Sequence, residues 1–184
     1  MAVEQPSYKV EIDAKPFQIR DYAPMIVACV HESGTREAAV SGGFRALASY
    51  ISGNNQQSGK IAMTAPVTQS AGQKLAMTIP AVQVKSSEGW DVHFTMPASS
   101  TMQTLPKPND DRIRLLEFPA RRVAAISFSG FWTDSNFRSH EMRLLEFLEQ
   151  RGLKPVSTVT YAYFDPPWKP WFLRHNEVQF EIAK

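Results

Sequence analysis

A chain of 184 residues with 43% hydrophobic and 21% charged side chains can bury one sizeable core and shows none of the charge excess of a disordered segment. Its 20 Lys and Arg against 18 Asp and Glu leave a net charge of +2 without a basic run, which argues against nucleic acid as a partner. The lone Cys29 cannot form an internal disulfide, the first residues lack the charged and apolar regions of a signal peptide, and no run reaches the ~18 apolar residues of a membrane span. The expectation is a cytoplasmic protein of one domain over residues 1–184, monomer or weak dimer.

In chain order, strands are predicted at 8–13, 17–22 and 25–31, broken at Lys15-Pro16 and Ala23-Pro24. Cys29 lies in the third, where a buried thiol is the default. Phe44, Leu47, Ala48 and Ile51 then fall at helical spacing, and Gly53-Asn54-Asn55 ends this first helix. Further strand-like segments follow at 60–67, 74–80 and 91–97, then a Ser/Thr/Pro-containing loop over 98–111.

Beyond the loop the first pattern returns at a constant offset of 96 residues, from Tyr22 to Phe118, Val27 to Val123 and Gly34 to Gly130. A second helix is predicted over 137–151, with Phe137, Leu144, Leu145 and Leu148 on one stripe and Gly152 at its end. Two half-repeats, about 8–97 and 112–182, each a sheet with one helix, bury their apolar faces most cheaply against each other. The fold class is therefore α+β: an internally duplicated, pseudo-two-fold, distorted and mainly antiparallel β-barrel with two helices. A groove where sheet, helix and loops meet is a common ligand site.

The ordered segments Met63-Thr64-Ala65-Pro66-Val67, Phe94-Thr95-Met96-Pro97, 163–167 with Lys169-Pro170, and Arg174-His175-Asn176-Glu177-Val178 resemble the SOUL/haem-binding family over about residues 8–182. That resemblance implies a two-helix distorted barrel that binds haem or a related tetrapyrrole non-covalently, as carrier, buffer or sensor. Where some members have a proposed axial histidine, this chain has Asp21, a poor ligand for haem iron. Where basic residues on the first helix are proposed to meet the propionates, it has Ser41 and Ser49, with Arg45 the nearest substitute.

The residues themselves mark a hydrophobic groove beside helix one. Gly42 and Gly43 cost about 1 kcal/mol each in helix propensity, so either a flat ligand or a packed strand approaches there, with Gly43, Phe44, Arg45, Leu47 and Ile51 as its surface. Met63 and Met77 are either sulfur donors and pocket padding or core filler. The segment 165–172 joins stiff prolines to Trp168 and Trp171, as a lid or partner surface or as a loop folded over the barrel end; Lys169 and Arg174 could meet propionates. His31, His93, His140 and His175 lack metal-site spacing, so no metal is predicted; His175 is a weak axial candidate.

No nucleophile elbow, reactive-cysteine signature or phosphate loop is present, so no catalytic residue is assigned and the chain reads as a binder. Glu177 and Glu181 share one face of the last strand. That face is either solvated or turned inward, where a glutamate would recognise a cationic or amphipathic ligand, as in multidrug-sensing, gyrase-inhibitor-like domains, or, as a third reading, act as the base of a hydrolase.

Overall fold

The computed structural model describes residues 5–71 and 89–184. Nine strands are defined: β1 (Tyr8–Ala14), β2 (Phe17–Tyr22), β3 (Met25–Glu32), β4 (Val67–Ala71), β5 (Trp90–Thr95), β6 (Ile113–Phe118), β7 (Arg121–Phe128), β8 (Thr160–Tyr163) and β9 (Asn176–Ile182). Helix α1 (Arg36–Ile51) lies between β3 and β4, and α2 (Asp134–Glu149) between β7 and β8. Each helix starts on a threonine whose hydroxyl accepts the backbone N–H three residues on: Thr35 from Ala38 and Thr133 from Asn136. Each stops at a glycine with positive φ, Gly53 (115°) and Gly152 (65°), the left-handed region that other residues avoid.

The strands form one sheet of order β1-β2-β7-β9-β8-β4-β5-β3-β6. Every pairing is antiparallel, and, β1 apart, repeat-related strands stand at equal distances on either side of the β8–β4 pair. The sequence repeat that relates β3 to β7 also relates β2 to β6, yet β2 pairs with β7 and β6 pairs with β3. Strands β2 and β6 are thus exchanged between the halves, which stitches the two together.

Both helices cover the same face of the sheet, α1 on β3 and β5 and α2 on β7 and β9. The core lies between, with Leu47, Tyr50, Val92 and Phe94 on one side and Phe137, Leu144, Ile126 and Val178 on the other. Each fully buried Leu, Ile or Phe contributes roughly 1.5–3 kcal/mol.

The observed architecture is the α+β barrel-like fold that the sequence predicts. Residues 60–66 are not a strand; β4 begins only after Pro66, which has no N–H to give to a ladder. The predicted segment 74–80 lies outside the described residues. Helix two starts at Asp134, three residues earlier than its apolar stripe, because Thr133 rather than Phe137 sets its first turn.

Candidate functional site

The face of the sheet away from the helices is polar and buried. Two links decide this. Ala23-Pro24 joins β2 to β3, and Pro119-Ala120 joins β6 to β7, although the strands so joined are six places apart in the sheet. Links of two residues span only about 10 Å, so the sheet must curl until its ends approach. Side chains that alternate with the core therefore point into an enclosed interior: Arg20, Asp91, His93, Thr95, Glu177 and Gln179 are all buried.

On the β2–β7–β9 side, Arg20 donates to both oxygens of Glu177 at 2.8 and 2.9 Å. Glu177, 0% exposed, also accepts from Ser127 (3.0 Å), His175 Nε2 (3.0 Å) and Gln179 (2.7 Å). Burial alone would raise its carboxyl, but the bonds from His175, Arg20 and Gln179 prevail and hold it at about 2. Arg20 gives its remaining donors to Gln18 and Tyr22 and stacks under the Tyr8 ring at 4.6 Å. Burial works against its charge, and Glu177 more than offsets it.

At the end of the curl where the two links pass, a cleft of about 530 Å³ opens between Ala23, Pro24, Met25 and Ile26, the Thr95–Pro97 end of β5, and Phe118 with Pro119. Its wall is mainly apolar and includes Met25 and Met96; among the described residues Glu117 is its ionisable side chain. Behind it on the inner face, the Arg121 guanidinium lies 4.5 Å from the Phe118 ring centre and His93 meets the same ring edge-on at 5.7 Å. Burial, aided by Arg121 and Arg114 and opposed by Asp91, pushes His93 down to about 4. Sequence reasoning missed this cleft; the signal was the pair Pro24 and Pro119, of which Pro24 read only as a strand break.

Beside helix one, a second recess of about 420 Å³ is lined by Gly42, Arg45, Ser49 and Tyr50 together with Glu32, Asp110 and Arg112. It is ionic: Arg112 bridges Asp110 (2.7 Å) and Glu32 (3.1 Å). Gly43 faces the strand, since a Cβ there would stand 2.6 Å from Val92 Cβ. Leu47 and Ile51 belong to the core, while Phe44 is half-exposed with its edge on Phe94. Met63 is exposed just before the Thr64 wall of the cleft; Met77 lies outside the described residues.

The segment after β8 is braced internally. Lys169 pairs with Asp165 at 2.7 Å, whose other oxygen accepts the His175 N–H. Arg174 donates to the carbonyls of Lys169 and Pro167 and stacks on Trp132 at 4.7 Å. Trp168 is 83% exposed, and Trp171 stacks on Phe131 at 5.0 Å. The structure therefore brings Lys169, Trp171 and Arg174 together on this loop, Gly43, Arg45, Leu47 and Ile51 on helix one, and joins neither set to Glu177.

No cluster of His, Cys, Asp and Glu suited to a metal occurs among the described residues, and no helix among them is long and apolar enough to cross a membrane. Asp21, at the position of the proposed axial histidine, is held by two bonds of 2.8 Å from Arg122.

Comparison with known proteins matches residues 3–181 to the family described as SOUL heme-binding protein. Human Heme-binding protein 2 is 30% identical over 183 residues, covering 96% of this chain and 85% of the human protein. The mouse protein of the same name is 27% identical over 194 residues, covering 98% and 90%. Among solved structures, the C-terminal domain of EcmrR superposes with a TM-score of 0.66 at 14% identity, over 96% of this chain and 98% of that one, a likeness of fold.

Proposed function

This chain belongs to the SOUL heme-binding protein family, and from that membership we propose that it is a non-enzymatic binder of haem or a related tetrapyrrole, seated in the cleft between the β2–β3 and β6–β7 links. The observation that carries the seat is the cleft itself: about 530 Å³ lies within the ~300–1,000 Å³ usual for ligand pockets, and Pro24, Met25, Ile26, Met96, Pro97 and Phe118 supply a flat apolar wall. Haem fits this donor set through hydrophobic contact, with Met25 and Met96 as soft thioether donors; bound iron would supply a ligand-accepting centre there. Asp21, already tied to Arg122, adds nothing to iron. The recess beside helix one is walled by ion pairs, an environment that an apolar macrocycle gains little by entering.

The inner face favours neither competing reading. A cation sensor needs a glutamate with open oxygens, whereas those of Glu177 are taken by Arg20, Ser127, His175 and Gln179. A hydrolase needs a base poised near neutrality, whereas Glu177 is held at about 2 and burial pushes the Cys29 thiol up to about 11.

The test is a titration of apo-protein with ferric haem and, in parallel, iron-free protoporphyrin IX, read by Soret absorbance. One-to-one saturation by both, abolished by Met25→Glu and retained by Phe44→Glu, is the expected result. The reverse pattern would move the seat to helix one, and failure of both ligands to saturate the unaltered chain would end the tetrapyrrole reading.

A further inference from the structure

Arg121, the first residue of β7, follows the Pro119-Ala120 link and turns its guanidinium onto the inner face. Its Nε is buried without a hydrogen-bond partner, the one side-chain nitrogen or oxygen of which this is true among the described residues. A guanidinium is not deprotonated in proteins; Arg121 is half-buried, its Nε lies in the desolvated part, and burial lowers its affinity for the proton. Stacking on Phe118 offsets part of that cost. Attraction from Glu181 and Tyr22 acts on it at a distance, with no hydrogen bond from either. Buried polar groups in folded chains are hydrogen-bonded, and a buried guanidinium donor without a partner marks a place where an acceptor is missing or arrives.

The surroundings suit an anion. On β5, His93 is buried, and burial first, then the charges of Arg121 and of Arg114 on β6, oppose its protonation. An anion beside Arg121 would offset the positive charge that Arg121 and Arg114 place on this face. Carboxylates also face the region: Asp91 on β5, Glu181 on β9, and Glu117 at the mouth of the cleft. They leave Arg121 unbonded, and they make a fully charged anion such as a phosphate a poorer fit than a single carboxylate on an apolar body.

We propose that Arg121 anchors a carboxylate-binding site on the inner face beside Phe118, taking the acid group of an amphipathic organic acid whose apolar body lies in the cleft. The side-on geometry that arginine uses for carboxylates engages one terminal nitrogen together with Nε, the donor that this structure leaves without a partner. The site rests on the cleft being a ligand seat, and not on the ligand being a tetrapyrrole. Among the described residues the cleft is lined by Glu117 and by no cation, and Arg121 reaches that lining through the Phe118 ring.

The test compares decanoate with decanol, which has the same chain without the charge, on the full chain and on Arg121→Met. Decanoate should bind the unaltered chain at least about tenfold more tightly than decanol, the ratio should fall to about one in Arg121→Met, and the Arg121 Nε–Hε resonance should shift as decanoate saturates. Equal affinities, a preference that survives Arg121→Met, or an unmoved resonance would each overturn the site. The resonance is read on the unaltered chain, so it decides the matter even if the variant misfolds. A chain that binds decanoate in this way but not haem would lose the tetrapyrrole reading and keep the carboxylate site. One that binds haem but fails these comparisons would do the opposite.

Discussion

Arg20 and Glu177, 157 residues apart in the chain, form a two-pronged ion pair at 2.8 and 2.9 Å in the closed interior of the sheet. Because both are desolvated, the pair stabilises only while it is complete. Glu177→Gln leaves Arg20 as a buried charge without a counterion and should cost about 3–5 kcal/mol, a fall of roughly 10 °C in melting temperature for a chain of this size. The acid limb carries the same signature. Glu177 is held at about 2, below its ordinary 4.5, so its contribution is present above about pH 4.5 and is lost as pH falls toward 2. Urea unfolding of both chains between pH 5 and 2.5 checks this; parallel curves would show that Glu177 is not the group that titrates.

Much of this fold was legible because repetition is local. The 96-residue offset shows in the structure as β3 and β7, whose burial patterns are identical, and the helix stops at Gly53 and Gly152 follow from backbone geometry alone. The exchange of β2 and β6 between halves was not legible, since a repeat says which segments are alike and not which ones pair. For the same reason Glu177 read as either solvated or turned inward toward a cationic ligand: its actual cation, Arg20, sits on β2, which only the exchange brings to within one strand of β9. The cleft escaped notice because its walls are the flanks of two prolines and the end of β5, three places that share no periodicity.

His93 should set the weakly acidic limb of stability. Buried on the inner face, it is pushed down to about 4 from an ordinary 6.5. Between these values the unfolded chain takes up a proton that the folded chain refuses, so stability falls as pH drops from about 6.5 to 4, by at most about 1.4 kcal/mol per pH unit. Of its charged neighbours, Asp91 opposes the effect while Arg121 and Arg114 reinforce it. His93→Gln should flatten the dependence in that window and leave the limb below pH 4 in place. A His93 ring that titrates near 6.5 by NMR would contradict the assignment.

Gly43 faces Val92 so closely that an added methyl would stand 2.6 Å from Val92 Cβ and Cγ2. Alanine gains about 1 kcal/mol in helix propensity, but overpacking against β5 commonly costs about 1–3 kcal/mol, and at this distance helix or strand must move. Gly43→Ala should therefore destabilise on balance, and Val92→Ala in the same chain should return part of the loss, a coupling that a double-mutant cycle measures. At Gly42 the neighbour is the carboxyl end of Glu32, at 3.3 Å, which can swing away, so Gly42→Ala should be neutral or stabilising.

The loop after β8 separates a lid from a brace. Asp165 holds it from both sides, through Lys169 at 2.7 Å and the His175 N–H, and these bonds keep its carboxyl below the ordinary range despite the opposing effect of burial. Asp165→Ala should cost about 1–2 kcal/mol, speed amide exchange across 166–175, and shift the emission of Trp168 and Trp171. If the tetrapyrrole sits in the cleft, this loosening leaves affinity within about twofold, because none of the residues 164–175 lines the cleft. A loss of tenfold or more would mean that the loop closes over the ligand, with Trp171 and Arg174 at the contact, and the seat would have to be drawn on that side of the barrel.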